Sequence, residues 1–189
     1  MKHFAAFISA ILLLACLALP CTALESKVIT LSEKTLSVDL GPSFEIYRSE
    51  FNTSQTGMAS QNFLINDTVS EQVAFLSVMS IYDEIMGRLS PDLLSELFLI
   101  GVLSEVESNG DVEIGNWTAT DHVGNNVTVH TLSTEDERVQ PLGATYDMAI
   151  WNLDQTTYVV LVSLFDRNNT TQIIKTLAVS YAGDLPYFI

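Results

Sequence analysis

The stretch LGATYDMAIWNLDQTTYVVLVSLF, residues 142–165, decides the architecture. Its second half is apolar on both parities: Tyr158, Val160, Val162 and Leu164 alternate with Val159, Leu161 and Phe165. A strand that is apolar on one parity lies half in water, whereas one apolar on both lies inside a sheet with layers on each side. The polar turn Asn152-Leu153-Asp154-Gln155 separates two extended runs, 142–151 and 156–165, so they form a hairpin.

Working outward, Asp166 to Asn169 turns the chain into a helix over 170–180, with Ile173, Ile174, Leu177 and Ala178 on its inward face. Upstream, 111–121 and 126–132 read as a second hairpin around Val123-Gly124-Asn125, and 133–141 as an acidic loop. Before it, Ser90 is an N-cap with Pro91 at the first helical position and Asp92 at the positive end of the dipole. Leu93, Leu94, Leu97, Phe98, Ile100, Leu103 and Val106 follow at helical spacing until Asn109-Gly110, which reads as a core helix. Residues 73–82 are again apolar on both parities and predict a strand covered on both faces. Residues 35–40 alternate, Gly41-Pro42 turns, 44–47 continues extended, 52–61 is a loop and 61–65 a short strand. The sum is an α+β fold, an antiparallel β-sheet flanked by helices as an α/β/α sandwich.

The N-terminus is a secretory signal: Met1-Lys2-His3, an apolar run over 4–19, then Pro20-Cys21-Thr22-Ala23. Cleavage is expected after Ala23. The organisation is then a signal peptide over 1–23, a short tether over 24–34 and a single domain over 35–189. Two other readings stay open: an uncleaved anchor over 4–23, long enough to span a bilayer, and lipid attachment at Cys16 in a loose lipobox. Either way the chain is exported, secreted or extracytoplasmic, and touches a membrane only through this segment. Both cysteines, Cys16 and Cys21, lie within it, so the domain has no thiolate chemistry and no disulfide.

Without Lys2, seven Lys and Arg face 23 Asp and Glu, a formal charge of −16. Such a charge repels phosphate backbones and anionic lipid, which argues against nucleic-acid binding. Six Asn-x-Ser/Thr sequons, at Asn52, Asn66, Asn116, Asn126, Asn168 and Asn169, exceed the two or so that chance gives, and mark glycosylation candidates on a surface protein.

The chain resembles the Mog1/PsbP-like group of domains over about residues 36–181. The likeness lies in the opening SVDLGPSFEIY, the long helix after MGRLSP and the hairpin EIGNWTATDHVGNNVTVHTL. It continues in TTYVVLVSLFD and the final QIIKTLAVSY. The resemblance implies a non-enzymatic role as an assembly factor, protein-binding module or exported lipoprotein. It brings no functional residues with it, because the group has no common active site. The loop over 52–61 and the acidic loop have no counterpart in it.

Motifs for catalysis are sparse. Asp121, His122 and His130 flank one hairpin turn and form a candidate metal set, but the helical H-x-x-x-H and H-E-x-x-H spacings are absent, which favours ordinary surface histidines. Glu135-Asp136-Glu137 offers oxygen ligands for a hard cation, opposed by Arg138 and lacking the EF-hand pattern, so a solvated acidic loop is the simpler reading. No G-x-S-x-G elbow or phosphate-cradling glycine loop occurs, and Ser163 reads as a packing residue in a strand. Trp117, Trp151, Tyr146 and Tyr158 either line a carbohydrate or peptide groove or, more commonly, fill the sheet. The expectation is an exported, non-enzymatic surface domain without cofactor that binds a protein partner. An exported metal-dependent hydrolase and a carbohydrate or small-ligand binder are the alternatives.

Overall fold

The computed structural model describes residues 24–30, 34–48, 53–55, 57–82, 89–108, 111–134 and 145–181. The expected signal peptide over 1–23, Asn52, the expected helix stop at Asn109-Gly110, Glu135, Asp136, Glu137 and Pro186 lie outside them. Among the described residues the fold is mostly antiparallel β-structure with two helices, a mixed α+β arrangement. The strands are β1 (Glu25–Thr30), β2 (Lys34–Leu40), β3 (Phe44–Arg48), β4 (Thr53–Gln55), β5 (Met58–Asp67) and β6 (Val73–Ile81). Helix α1 (Pro91–Ser108) follows, then β7 (Val112–Thr120), β8 (Asn126–Ser133), β9 (Thr145–Asn152), β10 (Thr157–Ser163), helix α2 (Arg167–Thr176) and β11 (Ala178–Tyr181).

The large sheet runs β3-β5-β6-β10-β9-β8-β7, with β4 paired to β5, and a small sheet runs β1-β2-β11. The two doubly apolar stretches, β6 and β10, pair with each other at its centre, Val78 opposite Val159 and Leu76 opposite Leu161. The turns that set the hairpin registers are organised by aspartates. Asp121 accepts the amides of Val123 (3.0 Å) and Asn125 (2.8 Å), while Asp154 accepts those of Thr156 (2.7 Å) and Thr157 (2.8 Å). These carboxylates stand in for the backbone acceptors that a tight turn cannot offer. Gly124 takes the positive φ (98°) that the Asp121 turn requires.

One face of the large sheet, carrying Phe63, Leu76, Val159, Leu161, Ala149 and Val129, is sealed by Leu36, Val38 and Leu40 of β2 and by Ile173, Ile174 and Leu177 at α2. The opposite face carries Tyr158 and Ile81, against which α1 lays Leu94 and Phe98, the Phe98 and Tyr158 rings meeting edge to face with centroids 5.6 Å apart. The helices therefore lie on opposite faces. Helix α2 is stitched to β2 as well: the Asp39 amide donates to Thr176 Oγ1 (3.0 Å) and Gln172 Nε2 donates to the Asp39 carbonyl (3.2 Å). Those side chains serve the stretch of β2 beyond Ser37, where β11 ends its pairing.

Several expectations need correction. Glu25–Thr30 is a strand paired along β2, not a tether, because an edge strand with one neighbour needs no strong apolar pattern. The polar stretch 52–61 contains β4 and the start of β5. The last helix ends at Thr176, and Ala178–Tyr181 is a strand on β2. Strand β6 is not covered throughout, since Phe75 is 40% exposed. Nor is α1 a core helix: Leu94 is buried, but Leu93, Leu97 and Ile100 are largely exposed.

Candidate functional site

The hairpin of β7 and β8 does not gather the candidate metal set. Asp121 and His122 lie in the turn beyond the terminal pair Thr120–Asn126, whereas His130 sits far down β8 opposite Asn116. The Asp121 carboxylate is buried and engaged with Val123 and Asn125, including Asn125 Nδ2 at 3.1 Å. Among the described residues no group of three His, Cys, Asp or Glu is placed to hold a metal ion. His130 is not a surface histidine: it is buried, and its Nδ1 meets Glu113 Oε1 at 3.0 Å. That hydrogen bond holds the Glu113 carboxyl below its ordinary range, burial opposing it and Asn116 adding to it. Its Nε2 is buried without a partner among the described residues.

The predicted aromatics divide. Tyr158 and Trp151 are buried, and burial, with Asp154 and Asp92 nearby, raises the Tyr158 hydroxyl. Trp117 is half-buried beneath the Arg167 guanidinium, 4.4 Å from its ring centre, and its Nε1 donates to Asp147 (3.4 Å). Tyr146 donates to Asp111 Oδ2 (2.6 Å), and burial pushes its hydroxyl strongly up. Trp151 borders a cavity of about 230 Å³ between α1 and the strands, lined by Asp92, Glu96, Asn126 and Asn152 and by the apolar Leu99, Val127 and Ile150. Ser163 is fully buried, paired with Thr170 Oγ1 at 2.8 Å across the start of α2, the packing role its strand predicts.

Of the sequons, Asn116, Asn126 and Asn168 are exposed, while Asn66 and Asn169 are half-buried. The Asn168 sequon uses Thr170, whose hydroxyl is fully buried, so modification there has to precede folding.

The feature that sequence reading missed is an exposed apolar surface. On α1, Leu93 (43% exposed), Leu97 (51%) and Ile100 (59%) form one stripe at i, i+4 and i+7. Gly101 beside it has open space where a Cβ would stand. On the same face of the large sheet, cross-strand partners Tyr47, Leu64 and Phe75 form an exposed row. Asp92 and Glu96 flank the stripe, both exposed, and the described part of α1 has no Lys or Arg. The helical spacing was legible, but a helix apolar nearly all round does not announce which side is buried.

No described helix is long and apolar enough to cross a membrane. Searched against known protein families, curated proteins and solved structures, the chain matches none.

Proposed function

We propose that this chain is an exported, non-enzymatic surface domain that binds a protein partner through the α1 face. The observation carrying this reading is the Leu93, Leu97 and Ile100 stripe, which leaves large side chains in water on a helix whose other side is anchored by Leu94. Exposed apolar side chains aligned on one helix cost solubility and gain free energy only when a complementary surface covers them. The flanking Asp92 and Glu96 select a partner whose apolar patch is bordered by Lys or Arg, and the acidic chain as a whole steers such a partner inward. A second copy would bring like charges together.

The helices on opposite faces of one antiparallel sheet support an α/β/α sandwich of the Mog1/PsbP-like kind, and with it an assembly or binding role. The basic start and apolar run of residues 1–19 support export by a cleaved signal, and the six sequons support a glycosylated surface location.

The test is site-specific photo-crosslinking from Leu97 in native cells, with Val69 and Val123, exposed elsewhere, as controls. One recurrent protein captured only from Leu97, crosslinked at an apolar segment bordered by basic residues, supports the reading. Equal capture from all three positions, or none from Leu97, overturns it.

A further inference from the structure

The two sheets part at one edge. Among the described residues β1 pairs only with β2, and β3 only with β5, so two free edges face each other across a cleft of about 620 Å³. The register fixes what enters it. Phe44, Ile46 and Arg48 alternate onto the β3 face that bears the core, and Arg48 lies opposite Phe63 of β5. From the other side, Lys27 lies opposite Val38, the buried face of β2. Glu45 also borders the cleft, but it belongs to the opposite face of β3, where its carboxylate accepts the Tyr47 hydroxyl.

The charges then decide the ligand. Lys27 Nζ is held by Glu25 Oε2 at 2.7 Å, a neutral pair, whereas Arg48 is exposed and makes no ion pair among the described residues. The cleft thus offers one uncompensated guanidinium over an apolar floor, on a chain whose net charge is −15. Two smaller cavities among the described residues have the opposite sign. One of about 230 Å³ is bordered by Asp92 and Glu96, another of about 330 Å³ by Asp147 and Asp166, and neither has a Lys or Arg in its lining.

We propose that the cleft is a binding site for an amphipathic monocarboxylate, a hydrocarbon body with one acid head. The body lies along the half-buried Ile46 and the exposed Val28, over a wall backed by the buried Phe44 and Phe63, and the carboxylate takes two parallel hydrogen bonds from Arg48. A single free cation matches a single negative charge. A phosphate dianion would leave excess charge beside Glu25 and Glu45. The volume lies in the range of small-molecule sites, about 300–1,000 Å³. This site is separate from the α1 face and stands whether or not that face binds a protein.

The experiment is calorimetric titration of the purified chain with decanoate, and with decanol as the uncharged equivalent. Saturable one-to-one binding of decanoate is expected, weakened about tenfold by Arg48→Gln and for decanol, and weakened less by Arg48→Lys, which keeps the charge but not the paired hydrogen bonds. Leu97→Glu on α1 is expected to leave it unchanged. Thermal melts of the Arg48 variants check that the exposed edge position tolerates the change. Absence of binding by decanoate up to about 1 mM overturns the proposal. So does equal affinity for decanol, indifference to Arg48→Gln in a folded variant, or loss of binding in Leu97→Glu.

Discussion

The two helices invert a common assumption. Helix α1, PDLLSELFLIGVLSEVES, is apolar on nearly every side, yet of its residues with assigned burial only Leu94 is fully covered. Helix α2, RNNTTQIIKT, is mostly polar, yet Thr170, Ile173 and Ile174 are completely buried. Apolar content does not bury a helix; a matched surface does. Helix α2 has one narrow apolar stripe and a groove between β2 and the large sheet that fits it. Helix α1 has apolar side chains left over once Leu94 and Phe98 have met Tyr158.

The sharpest break of this contrast is truncation. Ile174→Ala is expected to destabilise by about 2–5 kcal/mol, through lost burial and the cavity left in a core that cannot collapse around α2. Leu97→Ala, although it removes a comparable side chain from the more apolar helix, should stay within about 0.5 kcal/mol. Urea melts of both variants decide it. Equal losses would mean that the exposed stripe of α1 is covered in solution.

Capping comes next. Asp166 accepts the Asn169 amide at 2.8 Å, so Asp166→Ala should cost about 1 kcal/mol. Ser90 holds the Leu93 amide at a longer 3.3 Å, and Ser90→Ala should cost less. A larger loss at Ser90 would make α1 the better anchored helix and reverse the comparison.

Charge gives the smaller effects. Glu113 is held below its ordinary value of 4.5, so its contribution is present above that value and lost as pH falls through the depressed one. Asp67 acts in the same direction: burial alone would raise it, but Ser70, Ser43 and the amides of Val69 and Ser70 outweigh burial. Stability should therefore fall on acidification from about pH 5 to pH 3, and Glu113→Gln should flatten part of that slope in urea melts. The melting temperature should also rise modestly with added salt, as screening relieves repulsion among the excess acids; a fall between low and moderate salt would contradict this.

The same contrast shows what sequence can carry. The hairpins were legible because alternation and turn chemistry are local: Asp121 and Asp154 each bind amides within four residues. The pairing of β6 with β10 was foreseen only as a need for central strands, not as a partnership. Strands β1 and β11 were missed because their stabilisation comes from β2, far away in sequence, and not from their own pattern. The buried face of α1 was illegible for want of polar residues to mark its outside. For the candidate sites, Asp121 and His130 were recognisable as residue types, but their separation follows from register. Lys27 and Arg48 give no signal in the sequence, since they come to line one cleft only where two different sheets open.

The central position of β2 in the small sheet has a consequence for how the molecule is made. Ser37 pairs with Ala178, and Val78 of the large sheet waits for Val159, so neither sheet is complete until strands far apart in the sequence have met. Contacts of this span are slow to form, because a long loop must be closed before any stabilisation is returned. The early strands therefore cannot complete either sheet while the later part is still being synthesised. For the exported protein proposed above, that delay keeps the polypeptide threadable through a translocation channel, and it leaves the Asn168 sequon open to modification before Thr170 disappears into the core.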